Sequence, residues 1–333
     1  MKAFVAERYG SADRVQLRDV PEPEAGADDV LVQIHAAGVN PLDSKIRDGE
    51  FKLILPYRLP FILGNEFAGV VLRVGSRVQR FKPGDEVYAR AAKNRIGAFA
   101  ERIAVQEDVL AIKPRNLSME EAASIPLVGL TAWQVLVDTA KLQRGQKVLI
   151  HAGSGGVGTF AIQLAKHLGA LVATTTSTPN VEFVKRLGAD IVIDYKKARF
   201  EEELRDYDAV LNSLDGDTLK KSLRVLKPGG KLISISGPPD PAFAKQLGAN
   251  PVVALVMRFL SHAVRKEAKR RQVEYAFLFM RASGAQLQQI SALLESQAIR
   301  PSVDRVFAFE STKEAMAHVE TGRARGKVVV KLS

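Results

Sequence analysis

Cysteine is absent from the 333-residue chain. That one absence excludes disulfides, thiolate zinc sites and a cysteine nucleophile. Long apolar runs are missing too, since no uninterrupted stretch reaches the roughly 18 residues of a membrane helix. The opening Met1-Lys2-Ala3-Phe4-Val5-Ala6-Glu7 lacks the apolar core of a signal peptide and the Arg/Ser-rich character of a transit peptide. It reads as a strand, and a cytoplasmic protein is expected. The five histidines (His35, His151, His167, His262 and His318) are scattered without ligand-like spacing, so no metal site is expected from them.

What is present describes an ordinary globular chain. Hydrophobic residues make up 46% and charged residues 26%, which excludes disorder and collagen-like structure. The length points to two domains. Lys and Arg number 48 against 37 acidic residues, a surplus of 48 − 37 = +11. Such a surplus bears on attraction to anions and not on fold.

The first third is punctuated and strand-like. Val30–Ala36 and Phe67–Val74 are rich in β-branched residues, and turns such as Pro83-Gly84-Asp85 bound the strands, which predicts an antiparallel barrel or sandwich. At Ser118-Met119-Glu120-Glu121 the texture changes, because serine followed three residues later by glutamate is a capping-box signature. Strands and helices then alternate, which predicts a doubly wound parallel sheet. Val252, Leu255, Val256, Phe259, Leu260 and Ala263 fall at helical spacing and run into the basic Arg265-Lys266 and Lys269-Arg270-Arg271. A basic amphipathic helix can lie on a membrane or bind RNA, but packing of its apolar stripe on its own protein is the expectation. Val273–Phe279 reads as a sixth strand.

The chemistry-bearing motif is His151-Ala152-Gly153-Ser154-Gly155-Gly156-Val157-Gly158, with G-x-G-x-x-G at Gly153, Gly155 and Gly158. It follows a strand and opens a helix, the context in which glycines allow a tight turn and close approach of a pyrophosphate. The helix N-terminus then faces the phosphates. An NAD site places an acid at the end of the second strand. Here that position reads Thr174-Thr175-Thr176-Ser177-Thr178, with Lys185, Arg186, Lys196 and Lys197 as nearby cations. NADPH is therefore expected over NADH.

Several ordered segments now carry a resemblance. They are Ala37–Gly49 (with Asn40, Asp43 and Lys45), Leu63-Gly64-Asn65-Glu66-Phe67-Ala68-Gly69-Val70-Val71, Pro126–Trp133, the glycine loop, Leu187-Gly188-Ala189-Asp190 with Ile193-Asp194-Tyr195, and Arg325-Gly326-Lys327-Val328-Val329. Over essentially its whole length the chain resembles the medium-chain dehydrogenase/reductase superfamily, in its zinc-free quinone oxidoreductase and alkenal (enone) reductase branch. The resemblance implies an α/β fold, with a GroES-like β-barrel domain over residues 1–121 and 284–333 and a Rossmann domain over 122–283. Substrate would enter a cleft between them. Where zinc alcohol dehydrogenases of the superfamily use a cysteine and a histidine, this chain has Gly38-Val39-Asn40 and Asn65, so no metal is expected.

Roles follow by the same resemblance. Ser154, Gly155, Gly156 and Val157 would hold the pyrophosphate, and Ser177 and Tyr195 the 2′-phosphoribose. Thr131, Gly237, Leu278 and Phe279 would line the nicotinamide end, and Lys327 would reach a phosphate or ribose. Asn40 and Lys45 are the candidates to donate a hydrogen bond to the substrate carbonyl, with a loop brace and a solvated surface lysine as the respective alternatives. The implied activity is NADPH-dependent hydride transfer to quinones or to the activated C=C bond of α,β-unsaturated carbonyls. Alternatives are an RNA-binding or sensor protein that keeps the nucleotide fold, and a membrane-associated quinone reductase. A homodimer, with the sixth strand at the sheet edge, is the expected assembly.

Overall fold

The computed structural model describes residues 1–52 and 55–332. The chain divides into two compact units, Met1–Leu130 with Arg281–Ser333, and Thr131–Met280. The first begins with β1 (Lys2–Ala6), β2 (Val15–Asp19), β3 (Asp29–Val39), helix α1 (Pro41–Arg47), β4 (Phe61–Ile62) and β5 (Glu66–Val74). It continues with β6 (Glu86–Arg90), β7 (Arg102–Gln106), β8 (Leu110–Ile112), α2 (Met119–Ala123) and α3 (Pro126–Trp133).

The second unit alternates strand and helix as expected. It holds β9 (Lys147–Ile150), α4 (Gly156–His167), β10 (Leu171–Thr176), α5 (Val181–Arg186), β11 (Ile191–Asp194), α6 (Phe200–Glu203) and β12 (Tyr207–Asn212). Then come α7 (Gly216–Ser222), β13 (Leu226–Ser234), α8 (Pro241–Leu247), α9 (Pro251–Leu260), α10 (His262–Arg270) and β14 (Glu274–Phe277). The chain returns to the first unit with α11 (Gly284–Glu295), β15 (Val303–Ala308), α12 (Thr312–Glu320) and β16 (Lys327–Lys331).

In the second unit the six strands run in the order β11-β10-β9-β12-β13-β14 and every neighbouring pair is parallel. Counted along the chain this is 3-2-1-4-5-6, the doubly wound order whose strand sequence reverses beside its first strand. The apolar strand residues Leu149, Val210 and Leu232 pack with Leu219 and Leu223 of the α7 region and Val264 and Ala268 of α10. In the first unit the main sheet runs β15-β16-β3-β5-β6-β8, with β7 also on β3, and β2-β1-β4 forms a second sheet. The long β3 is antiparallel to β5, β7 and β16. This is the GroES-like barrel and Rossmann combination.

Local rules account for much of the detail. Ser118 Oγ accepts from the Glu121 N–H at 3.1 Å while the Glu121 carboxylate accepts from the Ser118 N–H at 2.9 Å, so the capping box forms. The unit boundary nevertheless falls later than the Glu121/Ala122 division read from sequence, because α2 packs on β3 and β5 of the first unit. The second boundary lies at Met280/Arg281, ahead of the Ser283/Gly284 division.

Three features depart from the sequence reading. A seven-residue helix, α1, stands where only strands and loops were expected, opened by Pro41 at its first turn. The expected basic helix is split at Ser261 into α9 and α10. Most informative, its stripe faces outward: Val252, Leu255, Val256, Phe259 and Leu260 are exposed, whereas Met257, Ser261, Val264 and Ala268 are buried. The expectation that the stripe packs on its own protein is overturned. With apolar residues on both faces of α9, periodicity alone did not say which face turns inward.

Candidate functional site

The glycine turn joins β9 to α4 at the carboxyl edge of the parallel sheet, next to the point where strand order reverses. Its glycines are not equivalent. A Cβ on Gly153 would lie 2.1 Å from Thr174 Oγ1, and one on Gly158 would lie 2.3 Å from the Ala152 carbonyl oxygen. Internal packing therefore demands glycine at both. A Cβ on Gly155 would meet only the Ala152 oxygen at 3.4 Å, an ordinary contact. The fold itself leaves room at Gly155, the residue that caps α4 without any side-chain hydrogen bond. First-turn N–H groups of a helix have no intrahelical partner and form a ready anion site.

Polar side chains gather around that turn. Thr176 Oγ1 donates to Ser154 Oγ at 3.1 Å, and Asn180 Nδ2 donates to Ser154 Oγ and to Ser177 Oγ, each at 3.2 Å. Asp194, the last residue of β11, pairs in register with Thr176. The sequence reading found no acid at the end of the second strand, and the fold brings one there from the third. Its carboxylate accepts from Thr178 Oγ1 at 2.7 Å and from the Lys196 N–H at 3.0 Å, with Lys197 Nζ at 3.9 Å. The Thr178 hydroxyl above all holds Asp194 below the usual carboxylate range. Tyr195 follows, 56% exposed, with Lys196 Nζ 5.3 Å from its ring centroid. Of the other expected cations, Lys185 is taken up by Glu182 at 2.8 Å.

Behind the turn, His151 is buried between Thr175 and Ser222. Ser222 Oγ donates to the Thr218 carbonyl at 2.7 Å, so it accepts from His151 Nε2 at 2.9 Å, and Nδ1 accepts from Thr175 Oγ1 at 3.1 Å. Burial lowers its pKa to about 3, so the ring is neutral and braces the loop.

Gly237 follows β13, and Leu278 and Phe279 follow β14, at the same sheet edge. The Gly237 N–H donates to Ser234 Oγ at 2.8 Å, and a Cβ there would lie 2.8 Å from both Ser234 Oγ and Tyr275 Oη. Leu278 donates its N–H to the Ser234 carbonyl at 2.9 Å. Asn212, the last residue of β12, was missed by sequence reasoning. It is fully buried at the switch-point edge, and its Oδ1 has no partner among the described residues. Thr131 is buried in α3.

A second constellation lies in the first unit, where neighbouring strand ends set four side chains in a row. Register places Gly38 opposite Glu66, Glu66 opposite Arg90, and Val328 opposite Val39. Glu66 Oε1 accepts from Asn40 Nδ2 at 2.8 Å and from Lys327 Nζ at 2.7 Å, and Glu66 Oε2 accepts from the Leu127 N–H at 2.6 Å. Lys327 Nζ also donates to the Val39 carbonyl at 3.0 Å and to Asn40 Oδ1 at 2.5 Å. An ammonium has three donors, and these three contacts use them all. Lys327 is thus engaged within the first unit, where the sequence reading expected it to reach a phosphate or ribose. The Asn40 amide is likewise committed at both ends, so the loop-brace alternative describes it. A Cβ on Gly38 would strike Glu66 Oε1 at 2.4 Å, which is why β3 carries glycine there.

Asp43 extends the row. Its carboxylate accepts from the Asn40 N–H and from Asn65 Nδ2, both at 2.7 Å, and Asn65 Oδ1 accepts from Arg90 Nη2 at 3.3 Å. Burial raises its pKa to about 6, against the opposing pull of those two hydrogen bonds. Lys45, on the same α1, is half exposed and 3.4 Å from Glu50. The structure therefore separates the two candidate catalytic side chains, with Asn40 locked inside and Lys45 outside.

Residues 26–115 match the family described as alcohol dehydrogenase GroES-like domain, and residues 187–330 the family described as zinc-binding dehydrogenase. The chain is 37% identical over 341 residues to a 2-methylene-furan-3-one reductase of Solanum lycopersicum, covering 99% of this chain and 79% of that protein. The chain belongs to the medium-chain dehydrogenase/reductase superfamily.

Two further proteins are similar over the full length of the chain. It is 35% identical over 360 residues to the mitochondrial NAD(P)H oxidoreductase RTN4IP1 of Danio rerio, covering all of this chain and 91% of that one. It superposes on the quinone oxidoreductase from Coxiella burnetii with a TM-score of 0.88 at 32% identity, covering 100% and 99% of the two chains. One matching superfamily description names zinc, and the residues present can be tested against that ion. Zinc takes thiolate, imidazole or carboxylate ligands, whereas Asn40 and Asn65 offer amides already engaged in hydrogen bonds. Among the described residues no three His, Asp or Glu side chains stand together so as to hold a metal. The residues present do not fit that ion.

Proposed function

We propose that this chain is an NADPH-dependent reductase that transfers hydride to quinones or to the activated C=C bond of α,β-unsaturated carbonyls. The observation that carries the reading is the glycine turn, where Gly153 and Gly158 are fixed by packing but Gly155 is left open at the N-terminus of α4. Such a vacancy in the packing is what close approach of a pyrophosphate requires. The names of the relatives, a 2-methylene-furan-3-one reductase, an NAD(P)H oxidoreductase and a quinone oxidoreductase, agree with it.

When bound, NADPH supplies the hydride. The first-turn N–H groups of α4 and the Ser154 hydroxyl bind its pyrophosphate. Thr176, Ser177 and Tyr195 would hold the 2′-phosphoribose, and Lys196 and Lys197 would supply positive charge beside it. Lys197 offsets part of the Asp194 charge, which leaves Lys196 as the cation for the 2′-phosphate. Gly237, Leu278 and Phe279 line the nicotinamide end. Lys45, whose ammonium has a half-exposed and replaceable ion pair, donates to the substrate oxygen as negative charge develops there. No side chain is assigned as proton donor; solvent would supply the proton that completes the reduction.

The test is NADPH oxidation, followed by absorbance, against a panel of quinones, enals and enones. Turnover with at least one class is expected, faster with NADPH than with NADH. Failure with every member would remove the reading.

A further inference from the structure

Helix α9 presents an apolar surface that its own protein does not cover. Val252 is 71% exposed and Phe259 72%, and Leu255, Val256 and Leu260 lie on the same outward stripe. The opposite side, through Met257, already packs inward. A contiguous exposed apolar stripe rimmed by polar residues marks an interaction surface, so the outer stripe of α9 calls for a partner. At 1.5 Å per residue it is about 15 Å long.

The charge around the stripe says what that partner is. From Pro241 to Lys266 there is no acidic residue, while Lys245, Arg258, Arg265 and Lys266 are basic. Beyond the break at Ser261, α10 exposes Ala263, Lys266, Lys269 and Arg270. The next acid along the chain, Glu267, is held by Arg271 at 2.7 Å and Arg270 at 3.2 Å. Arg258, Lys266 and Lys269 have no acidic partner among the described residues. An isologous contact of this stripe with the same stripe of a second copy would set basic side chains against one another with no acid from 241 to 266 to meet them. A surface that is apolar beneath and anionic above matches both features. No helix among the described residues is long and apolar enough to cross a bilayer, so the contact is with one leaflet.

We propose that α9 docks on an anionic lipid surface, its stripe of Val252, Leu255, Val256, Phe259 and Leu260 sunk at the acyl boundary and the basic side chains of α9 and α10 against the headgroups. The proposal stands on the surface alone and is independent of the reductase reading.

The experiment is flotation of the full chain with phosphatidylcholine vesicles, with and without ~30% phosphatidylglycerol. Binding to the anionic vesicles is expected to be at least about tenfold stronger, and to weaken when salt rises from ~0.05 to ~0.5 M. Leu255→Ser with Phe259→Ser should lose about tenfold in binding, and Lys266→Glu with Arg270→Glu should lose the preference for anionic lipid. The altered side chains are exposed, and unchanged circular dichroism and melting temperature would confirm that both variants fold. Equal binding to both vesicle types, or variants that bind like the parent, would overturn the proposal. So would a parent dimer that the serine variant dissociates without any lipid binding, since a second copy would then cover the stripe. RNA binding lost in the glutamate variant but kept in the serine variant, without lipid binding, would overturn it as well.

Discussion

At the scale of single residues, two glycines of one turn have different reasons to exist, and substitution separates them. Gly155→Asp places a carboxylate where the backbone leaves space, so cofactor affinity should fall by about 100-fold with a melting temperature close to the parent's. Gly153→Ala drives a methyl against Thr174 Oγ1 and should instead cost about 1–3 kcal/mol of stability. Isothermal titration and thermal melting distinguish the two. His151 adds a pH signature. Its folded pKa of about 3 lies below the unfolded 6.5, so between those values the unfolded state binds more protons and stability falls as pH falls. Asp43, at about 6 folded against 3.8 unfolded, has the opposite sign, its contribution being full below 3.8 and lost as pH rises through 6. Between roughly pH 4 and 6 the two slopes oppose each other. His151→Gln should therefore gain on the parent by about 1.4 kcal/mol for each pH unit of acidification across that window, read from urea midpoints. A parent and variant with parallel profiles would show that His151 is protonated in the fold.

At the scale of elements, the buried row across β16, β3, β5 and β6 explains how strand ends far apart in sequence are fastened. Lys327→Met would leave the fully buried Glu66 without its cation. A loss of about 3–5 kcal/mol is expected in denaturant unfolding, with Glu66→Gln in the same background recovering part of it. Full additivity of the two changes would mean that the pair is not coupled. Little of this row was legible beforehand. Asn40 and Lys327 were read as groups facing ligand, because polar side chains beside family motifs suggest chemistry. Only the sheet register reveals that Glu66 stands between them. The glycine turn was legible because its requirements are local, as were the Ser118–Glu121 cap and the alternation that follows.

At the scale of the whole molecule, the surplus of +11 charges favours anionic ligands in general. NADPH carries a 2′-phosphate that NADH lacks, so raising salt from ~0.05 to ~0.5 M should weaken NADPH binding several-fold more than NADH binding. Lys196→Glu should narrow that gap. Equal salt dependence for the two nucleotides would place the 2′-phosphate away from Lys196 and Lys197.

The sequence by itself determined the division into a strand-rich part and an alternating part, the glycine turn between strand and helix, and the helical spacing of Val252 to Leu260. Each is set by neighbours a few residues apart, through backbone freedom, capping or side-chain period. Tertiary structure alone decided which face of α9 meets solvent, that Asp194 sits beside Thr176, and that Lys327 spends all its donors on Val39, Asn40 and Glu66. Those outcomes depend on strand order and register, which bring together residues whose separation along the chain carries no trace of their contact.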